Sequence, residues 1–218
     1  MSYNRLLLDK DREEERYTKI IEVMWRMFPD MMSRKFPRAN IQQAFVADTV
    51  IKLRENFDHN VKVLSVGSYE DTAYEFLKST NHRILGIDPT TDVDLHTYTK
   101  IQYHNFFDIV FSTSVLEHVS DDQQFLSDTC RLINYEGYGI LTMDFNNNYM
   151  SGDILPYTDV RFYTERDMAR LISILDKFDC KLIDSPDWNG TPDFEYDGCT
   201  YAFATFVFQK GKERVWVA

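Results

Sequence analysis

Four short runs of apolar and β-branched residues, separated by stretches with helical character, constrain the fold of this 218-residue chain more than any other feature. Short buried strands that alternate with helices are typical of right-handed βαβ units and a parallel sheet. The sequence therefore predicts an α/β fold. The strand candidates are residues 61–66, 83–87, 107–112 and 139–143, and residues 72–79 and 121–133 form helix-like connections.

The first 57 residues have a different pattern, which is helical throughout. Apolar side chains recur every three or four positions over residues 17–28, which predicts an amphipathic helix. A second helix is expected over residues 41–55. No long linker or internal repeat interrupts the chain, and we place a domain boundary near residue 58. We therefore expect a helical N-terminal extension, residues 1–57, and a sheet domain, residues 58–218.

The last third of the chain predicts one helix and two strands. Thr164 followed three residues later by Asp167 resembles a capping box, with Asp in place of the usual Glu, and predicts the start of a helix. Residues 180–183 and 201–208 are strand candidates, and the second is apolar almost throughout, as a central strand would be.

Charge divides the chain unevenly and bears on its partners. Residues 1–57 carry 11 Lys and Arg against 9 Asp and Glu, whereas residues 58–218 carry 13 against 26. Nucleic-acid binding requires cations that displace the counterions of the phosphates. The acidic main body therefore disfavours nucleic acid and anionic membranes as partners, and its field favours a cationic small ligand.

Composition also predicts a cytoplasmic protein. No apolar run approaches the ~20 residues of a membrane span, and the N-terminus leads into a charged stretch rather than a secretory apolar core. Three cysteines are too few and too scattered for a disulfide framework or a zinc cluster. We expect free, buried thiols, no structural metal and no membrane association.

Residues that follow the first two predicted strands suggest a ribose site. Gly67 ends the first strand, and Asp88 comes directly after the second, 21 residues beyond Gly67. In open parallel sheets a glycine turn followed about 20 residues later by an acid holds the ribose of a nucleotide. The alternative is that Asp88 and Pro89 only begin a turn.

The segments around these strands resemble the class I S-adenosylmethionine-dependent methyltransferases. Residues 107–119, Phe-Asp-Ile-Val-Phe-Ser-Thr-Ser-Val-Leu-Glu-His-Val, look like the fourth-strand motif of that family and are the most specific part of the likeness. The likeness extends over about residues 60–210 in the order and spacing of the family. The other matching segments are residues 63–67 (first motif), 83–88 (ribose strand), 130–142 (before the fifth strand) and 162–171 (the helix before the last two strands).

The resemblance implies a fold, a cofactor and a set of binding residues. The fold would be a Rossmann-like sheet of seven strands, mostly parallel, with a C-terminal antiparallel hairpin and with N-terminal helices that serve as an extension or lid. The cofactor would be S-adenosyl-L-methionine. The cofactor-binding residues implied by the matching positions are Gly67, Ser68, Tyr69, Glu70, Asp88, Pro89, Ser112, Thr113 and Ser114.

The first motif departs from the family pattern. Ser65 stands where the family usually has an acid, and Tyr69 and Asp71 stand where it has glycines that let the backbone approach the cofactor. Either Glu70 or Asp71 supplies a carboxylate for the cofactor's ammonium group, or the site is degenerate and binds nothing. Two acids, at positions 92 and 94, are alternatives for an adenine contact.

Methyl transfer to a hydroxyl requires a base, and two residues near the strand ends could serve. His118 has a suitable intrinsic pKa, although the Glu-His-Val step of the family is often a structural helix start. Asp144 follows the fifth strand on the expected acceptor side, although it could merely cap a turn. His104 is a less favoured third choice. Glu117 and His118 are adjacent on a helix and therefore point apart, so no metal site is predicted.

The acceptor is predicted to be a small molecule, with oxygen as the methylated atom and a sugar or polysaccharide precursor as the favoured class. A basic group could clamp an anionic substituent and three aromatic residues could stack on a ring, although solvation and packing are the simpler explanations. These residues are Arg34, Lys35 and Arg38, and Trp188, Phe194 and Tyr196.

Two other functions remain open. One is a non-catalytic binding or scaffolding protein with a degenerate methyltransferase-like fold, which the altered first motif suggests. The other is a nicotinamide-dependent oxidoreductase, which is weakened because no Gly-x-Gly-x-x-Gly follows Val66. A homodimer is also left open.

Overall fold

A single eight-stranded sheet organises the molecule in the computed structural model, which describes residues 2–80 and 83–213. The strand order is β1-β8-β5-β4-β2-β3, and β6 and β7 also pair with β8. The strands are β1 (Leu6–Leu7), β2 (Val63–Val66), β3 (Ile84–Ile87), β4 (Phe107–Thr113), β5 (Ile133–Phe145), β6 (Cys180–Leu182), β7 (Phe194–Tyr196) and β8 (Cys199–Lys210).

Four of these strands form the parallel part of the sheet that the sequence predicts. β2 lies between β3 and β4 and pairs with both in parallel, and β4 pairs in parallel with β5. Val66, the last residue of β2, pairs with Ile87, the last residue of β3. The turns after these strands therefore begin at the same edge of the sheet.

The antiparallel part is larger than predicted, which gives eight strands instead of seven. β8 is 12 residues long and runs antiparallel to β5. Its other edge is covered in turn by β6, β1 and β7, all antiparallel to it. These strands occupy backbone groups that would otherwise form an unpaired edge. Between Asp88 and Phe107, a stretch that is described in full, the chain forms a helix and no strand.

Seven helices cover the described part of the sheet on both faces. Those expected from the apolar patterns are confirmed within two residues at each end, and the capping box of Thr164 and Asp167 is present. The two short helices that the patterns did not predict are α2 and α5. The helices are α1 (Glu15–Met27), α2 (Pro29–Arg34), α3 (Asn40–Arg54), α4 (Thr72–Ser79), α5 (Leu95–Ile101), α6 (Asp122–Leu132) and α7 (Glu165–Lys177).

Alternating side chains of the strands form one core on each face. Val63 and Ile109 belong to the core that contains α1 and α3, whereas their neighbours Leu64 and Val110 belong to the core that contains α6 and α7. This is the two-residue period of a sheet buried on both faces. All three cysteines are buried and free, as predicted.

The N-terminal residues are joined closely to the sheet. α3 is buried along almost its whole length and packs against α4, β4 and β5. Buried Asn4 donates from Nδ2 to the carbonyl of Val207 (3.0 Å), and its Oδ1 accepts the Val207 N–H (2.7 Å). The division into a residue 1–57 extension and a residue 58–218 domain stays a prediction, as does the role of the extension as a lid. None of the described helices has both the length and the apolar character needed to cross a membrane.

The Asn4 contact gives a test of how far the N-terminal segment stabilises the fold. Asn4→Ala leaves both backbone polar groups of Val207 without their partner in a buried position. We expect the free energy of unfolding to fall by about 1–3 kcal/mol, measured by urea denaturation. Asn60→Ala, at an exposed position, is the matched control and should change it by less than about 0.5 kcal/mol. Equal values for the two variants would show that the segment is not coupled to the sheet.

Candidate active site

A cavity of about 920 Å³ opens at the carboxyl ends of β2, β3 and β4. This is where open parallel sheets bind ligands, and the volume lies in the range of small-molecule sites. Eight of the eleven predicted site residues line it. They are Gly67, Tyr69, Glu70, Asp88, Pro89, Thr113, Ser114 and His118, and Ser68, Ser112 and Asp144 do not line it.

Gly67 is required at the first turn for two reasons. Its φ of +81° lies in the left-handed region, and a Cβ at this position would lie 2.4 Å from Cγ2 of Val115. Its N–H donates to the carbonyl of Ile87 (2.9 Å), which fixes the turn to the end of β3. Ser68 follows with its side chain over Gly86 of β3, which is why it does not face the cavity.

Asp88 is held at the cavity by the turns on either side of it. Its Oδ2 accepts the N–H of Tyr69 (3.2 Å), and its Oδ1 accepts the N–H of Thr90 (2.7 Å). The bond from Thr90 closes a turn, as expected if Asp88 and Pro89 only begin a turn. The bond from Tyr69 in addition ties the Asp88 carboxylate to the turn at Gly67. A carboxylate has about four lone-pair sites, so acceptor capacity remains for two ribose hydroxyls.

The bulky residues of the first motif leave the cavity open. The side chain of Tyr69 is 55% exposed at the cavity wall. Glu70 forms an ion pair with Arg34 (2.8 Å) at the surface. Asp71 is buried and caps α4 through Oδ1, which accepts the N–H of Tyr74 (2.7 Å), whereas its Oδ2 has no hydrogen-bond partner. Asp71 is therefore better placed than Glu70 to receive a ligand's ammonium group.

Burial decides the protonation behaviour of Asp71. Burial raises the pKa of Asp71, and the nearby charge of Lys35 opposes that rise. Lys35 also lines the cavity, and burial lowers its own pKa. The predicted basic group does not converge, since Arg34 contacts Glu70 and Arg38 contacts Asp9.

The far end of the cavity is lined by the start of α5. Of the two acids proposed for adenine, Asp94 lines the cavity, whereas Asp92 accepts the backbone N–H groups of Asp88 and Val93 outside it. His96, which the sequence did not suggest, also lies there, with Nδ1 2.8 Å from Oδ2 of buried Asp128. No sequence signal links these two residues, because they lie 32 positions apart on separate helices.

The residues that end β4 connect the cavity with a buried polar group behind it. Ser112 is buried inside the strand, and Thr113 and Ser114 reach the cavity. The Ser114 hydroxyl donates to Oε1 of Glu117 (2.6 Å), which is completely buried.

His118 is oriented by a carboxylate that sequence reasoning missed. Its Nδ1 lies 3.1 Å from Oδ1 of Asp159 and 3.1 Å from the carbonyl of Thr158. Burial lowers the pKa of His118. The hydrogen bond to Asp159, the charge of Glu117 and the Thr158 carbonyl outweigh that effect and raise the pKa to about 9. His118 therefore carries a positive charge at neutral pH in the ligand-free protein.

Asp144 lies deeper, near the end of β5. Its side chain is buried, and burial raises its pKa well above the ordinary value, with further increases from the charges of Glu117 and Asp159. The Tyr201 hydroxyl partly opposes this rise. Asp144 thus belongs to a group of three acids, and its predicted catalytic role stays a prediction.

The remaining suggestions lie outside the cavity. His104 is exposed and does not line it. Trp188 is buried against Phe206, and Phe194 is buried in a cluster with Tyr201 and Phe203. Packing therefore explains both, and Tyr196 alone of the three predicted aromatic residues is well exposed.

Comparisons with solved structures show the same fold at low sequence identity. The [4+2]-cyclase SpnF is 14% identical, with a TM-score of 0.56 over 83% of this chain and 85% of its own. An S-adenosylmethionine-dependent methyltransferase from Archaeoglobus fulgidus is 13% identical, with a TM-score of 0.54 over 77% and 94%. The 1,6-didemethyltoxoflavin-N1-methyltransferase of Burkholderia thailandensis, with its substrate and S-adenosylhomocysteine bound, is 11% identical, with a TM-score of 0.56 over 95% and 92%.

Sequence comparison finds a family model that matches the central part of the chain. No curated protein matches the chain. Residues 64–141 match the family model of the methyltransferase domain, and this segment contains the Gly67 turn, Asp88 and the end of β4. This central segment is therefore similar to methyltransferase domains, in agreement with the resemblance to the class I S-adenosylmethionine-dependent methyltransferases. The predicted resemblance, α/β fold class and cofactor are confirmed, with the correction of eight strands for seven.

The cavity of this methyltransferase fits its cofactor, S-adenosylmethionine. The glycine turn allows close backbone approach, the Asp88 carboxylate has free acceptor capacity, and buried Asp71 has an unpartnered oxygen at the cavity. We expect Asp88 to hold the ribose and Asp71 the ammonium group.

Asp88→Ala tests the ribose position. Loss of the charged hydrogen bonds should weaken the binding of S-adenosylhomocysteine by about 1–3 kcal/mol, measured by isothermal titration calorimetry. Asp58→Ala, at a fully exposed position, should bind with the affinity of the wild type. An unchanged affinity in Asp88→Ala would show that the ribose lies elsewhere.

Asp144→Asn tests the buried acids through the pH dependence of stability. The folded-state pKa of Asp144 is raised above 3.8, so the folded protein keeps a proton that the unfolded chain releases. The contribution of Asp144 to the stability of the wild type should therefore fall as pH rises above about 4. Asn cannot ionise, so the variant should gain stability relative to the wild type as pH rises above about 4, measured by chemical denaturation.

The control for this experiment is Asp176→Asn, which makes the same change at an exposed position of α7. It should show the same pH slope as the wild type. If the free energy of unfolding of Asp144→Asn depended on pH in the same way as that of the wild type and of Asp176→Asn, the burial of the Asp144 carboxyl group would be contradicted.

Proposed function

We propose that this methyltransferase transfers the methyl group to a hydroxyl of a small molecule, with a sugar or polysaccharide precursor as the acceptor class. The observation that carries the proposal is the His118–Asp159 pair beside the cofactor cavity. Asp159 engages Nδ1 and leaves Nε2 as the nitrogen that can accept a proton. A hydroxyl acceptor needs a base that takes its proton, and the His118–Asp159 pair is arranged to act as one.

The residues of the cavity have distinct roles in this proposal. When bound, S-adenosylmethionine supplies a methyl group on a positively charged sulfur, which keeps the bonding electron pair as the acceptor oxygen takes the methyl group. Asp88, Asp71 and the Gly67 backbone hold the two ends of the cofactor. Such alignment of the reacting groups can supply ~7–11 kcal/mol of the barrier reduction.

His118 receives the proton of the acceptor hydroxyl at Nε2. Asp159 then stabilises the imidazolium ion through the bond that it already makes to Nδ1. The sugar class is supported by carboxylates that can accept hydroxyl hydrogen bonds and by the exposed ring of Tyr69, which can stack on a flat ligand. The homodimer and the cytoplasmic location stay predictions.

A direct assay tests this function. Release of S-adenosylhomocysteine is measured with S-adenosylmethionine and a panel of free and nucleotide-linked sugars. Formation of an O-methylated sugar supports the proposal, and methylation of nitrogen or carbon only would overturn it. Calorimetric titration with S-adenosylmethionine, its product and NAD separates the binding-protein and oxidoreductase alternatives, since the first binds none and the second binds NAD.

The pH dependence of catalysis tests His118. The base must be neutral, and its pKa in the free enzyme is raised to about 9, so kcat/KM should rise with pH and level off near this value. His118→Asn should reduce kcat/KM by roughly 10²–10⁴-fold and remove this ionisation from the profile. His59→Gln, at the opposite end of the sheet, should keep the profile of the wild type. A wild-type profile that is flat from about pH 6 to pH 9 would exclude His118 as the base.

A further inference from the structure

We propose that Lys35 binds the carboxylate of the cofactor's amino-acid part while Asp71 binds the ammonium group on the same carbon atom. The two side chains would thus recognise an α-amino acid together. Lys35 lies between α2 and α3, whereas the residues assigned to the cofactor above follow β2 and β3. The inference concerns the cofactor and goes beyond the acceptor chemistry proposed above.

Lys35 differs from the other basic side chains at the cavity because no acid engages it directly. Among the described residues that line the cavity, the basic ones are Lys35, His96 and His118. Nδ1 of His96 lies 2.8 Å from Asp128, and Nδ1 of His118 lies 3.1 Å from Asp159. In the described ranges 2–80 and 83–213, no hydrogen bond or salt bridge engages the ammonium group of Lys35. This charge is therefore available to a bound anion.

Asp71 presents an unpartnered carboxylate oxygen at the same cavity. The residue is 3% exposed, and its Oδ1 caps α4, whereas its Oδ2 has no hydrogen-bond partner. The hydroxyl of Thr113, which also lines the cavity, is likewise buried without a partner of good geometry. Buried polar atoms without a partner are rare in proteins and require an explanation. A ligand with N–H donors would supply the missing partner.

Lys35 and Asp71 act on each other's charge without direct contact. Burial raises the pKa of Asp71, and the charge of Lys35 and the Thr113 hydroxyl oppose that rise. Burial lowers the pKa of Lys35, and the charges of Asp71 and Glu70 oppose that fall. No salt bridge joins Lys35 to Asp71 within the described chain. The pair is therefore close enough to interact and separate enough to admit a ligand between its charged groups.

The backbone near Lys35 is fixed on both sides of the cavity entrance. The N–H of Lys35 donates to the carbonyl of Met32 (3.2 Å), which is a completely buried residue. The preceding residue, Arg34, donates from Nε (3.0 Å) and Nη2 (2.8 Å) to Oε1 of Glu70. Residues 34 and 35 therefore face residues 70 and 71, and the exposed ion pair holds Lys35 beside the turn that carries Asp71.

An α-amino acid matches this pair of charges. Its ammonium group offers N–H donors to Oδ2 of Asp71, and its carboxylate is attached to the same carbon atom. Binding next to Asp71 alone would therefore bring two carboxylates together, which repel each other. Lys35 supplies the cation that compensates this repulsion. Hydrogen bonds between charged groups are about twice as strong as neutral ones, so both contacts contribute to affinity.

Three ligands that differ in the groups attached to the sulfur atom test the inference by isothermal titration calorimetry. S-adenosylhomocysteine has the carboxylate and the amine, its decarboxylated form keeps only the amine, and methylthioadenosine has neither. Lys35→Met removes the charge and keeps an apolar side chain of similar length. We expect this variant to bind S-adenosylhomocysteine about 10–100-fold more weakly than the wild type does. It should bind the other two ligands at least as tightly as the wild type.

Asp71→Asn should give a different pattern of losses. Asn also caps helices, so the start of α4 is kept while the charge is removed. We expect this variant to bind S-adenosylhomocysteine and its decarboxylated form about 10–100-fold more weakly and methylthioadenosine as the wild type does. Lys35→Arg keeps the positive charge and should lose less affinity for S-adenosylhomocysteine than Lys35→Met loses.

Lys177→Met makes the same change at an exposed position of α7 and should bind all three ligands as the wild type does. Unchanged binding of S-adenosylhomocysteine to Lys35→Met would overturn the inference, and this is the result expected if Lys35 binds an anionic group of the acceptor. An equal loss for all three ligands would also overturn it, because Lys35 would then only support the fold of the site. The titrations contain no acceptor, so failure of the proposed function is recognised separately, from the sugar panel.

Discussion

The parallel pairing of β2 with β3 and β4 is the constraint on which the site depends. It brings the turn at Gly67, the carboxylate of Asp88 and the end of β4 to one edge of the sheet. The bonds from the N–H groups of Gly67 and Tyr69 to the end of β3 then fix these turns to each other. A shift of register between the strands would separate the groups that we expect to hold the cofactor, so the sheet determines the geometry of binding.

Glycine and acid positions at the strand ends could be predicted from sequence, because strand polarity alone decides where they lie. Gly67 and Asp88 needed only the correct strands and their parallel direction. Asp159 could not be predicted in the same way. It lies 41 positions beyond His118, in a segment without helix or strand, and only the folded chain brings the two together.

Strands β1 and β7 escaped prediction for a related reason. Each has only two or three residues, too few for a hydrophobic period to be recognised. They form because the outer edge of β8 offers unpaired backbone groups, which is a property of the sheet and not of their own sequences. The bulky first motif was also ambiguous in sequence, since the direction of the Tyr69 side chain decides whether the cavity is open.

The fold alone does not determine the acceptor chemistry, because a [4+2]-cyclase shares it. The surroundings of His118 supply the more specific argument, since they set the pH at which the proposed base can accept a proton. The charges of Glu117 and Asp159 raise the pKa of His118 in the free protein. The proposed base therefore gains its neutral, proton-accepting form as pH rises toward about 9.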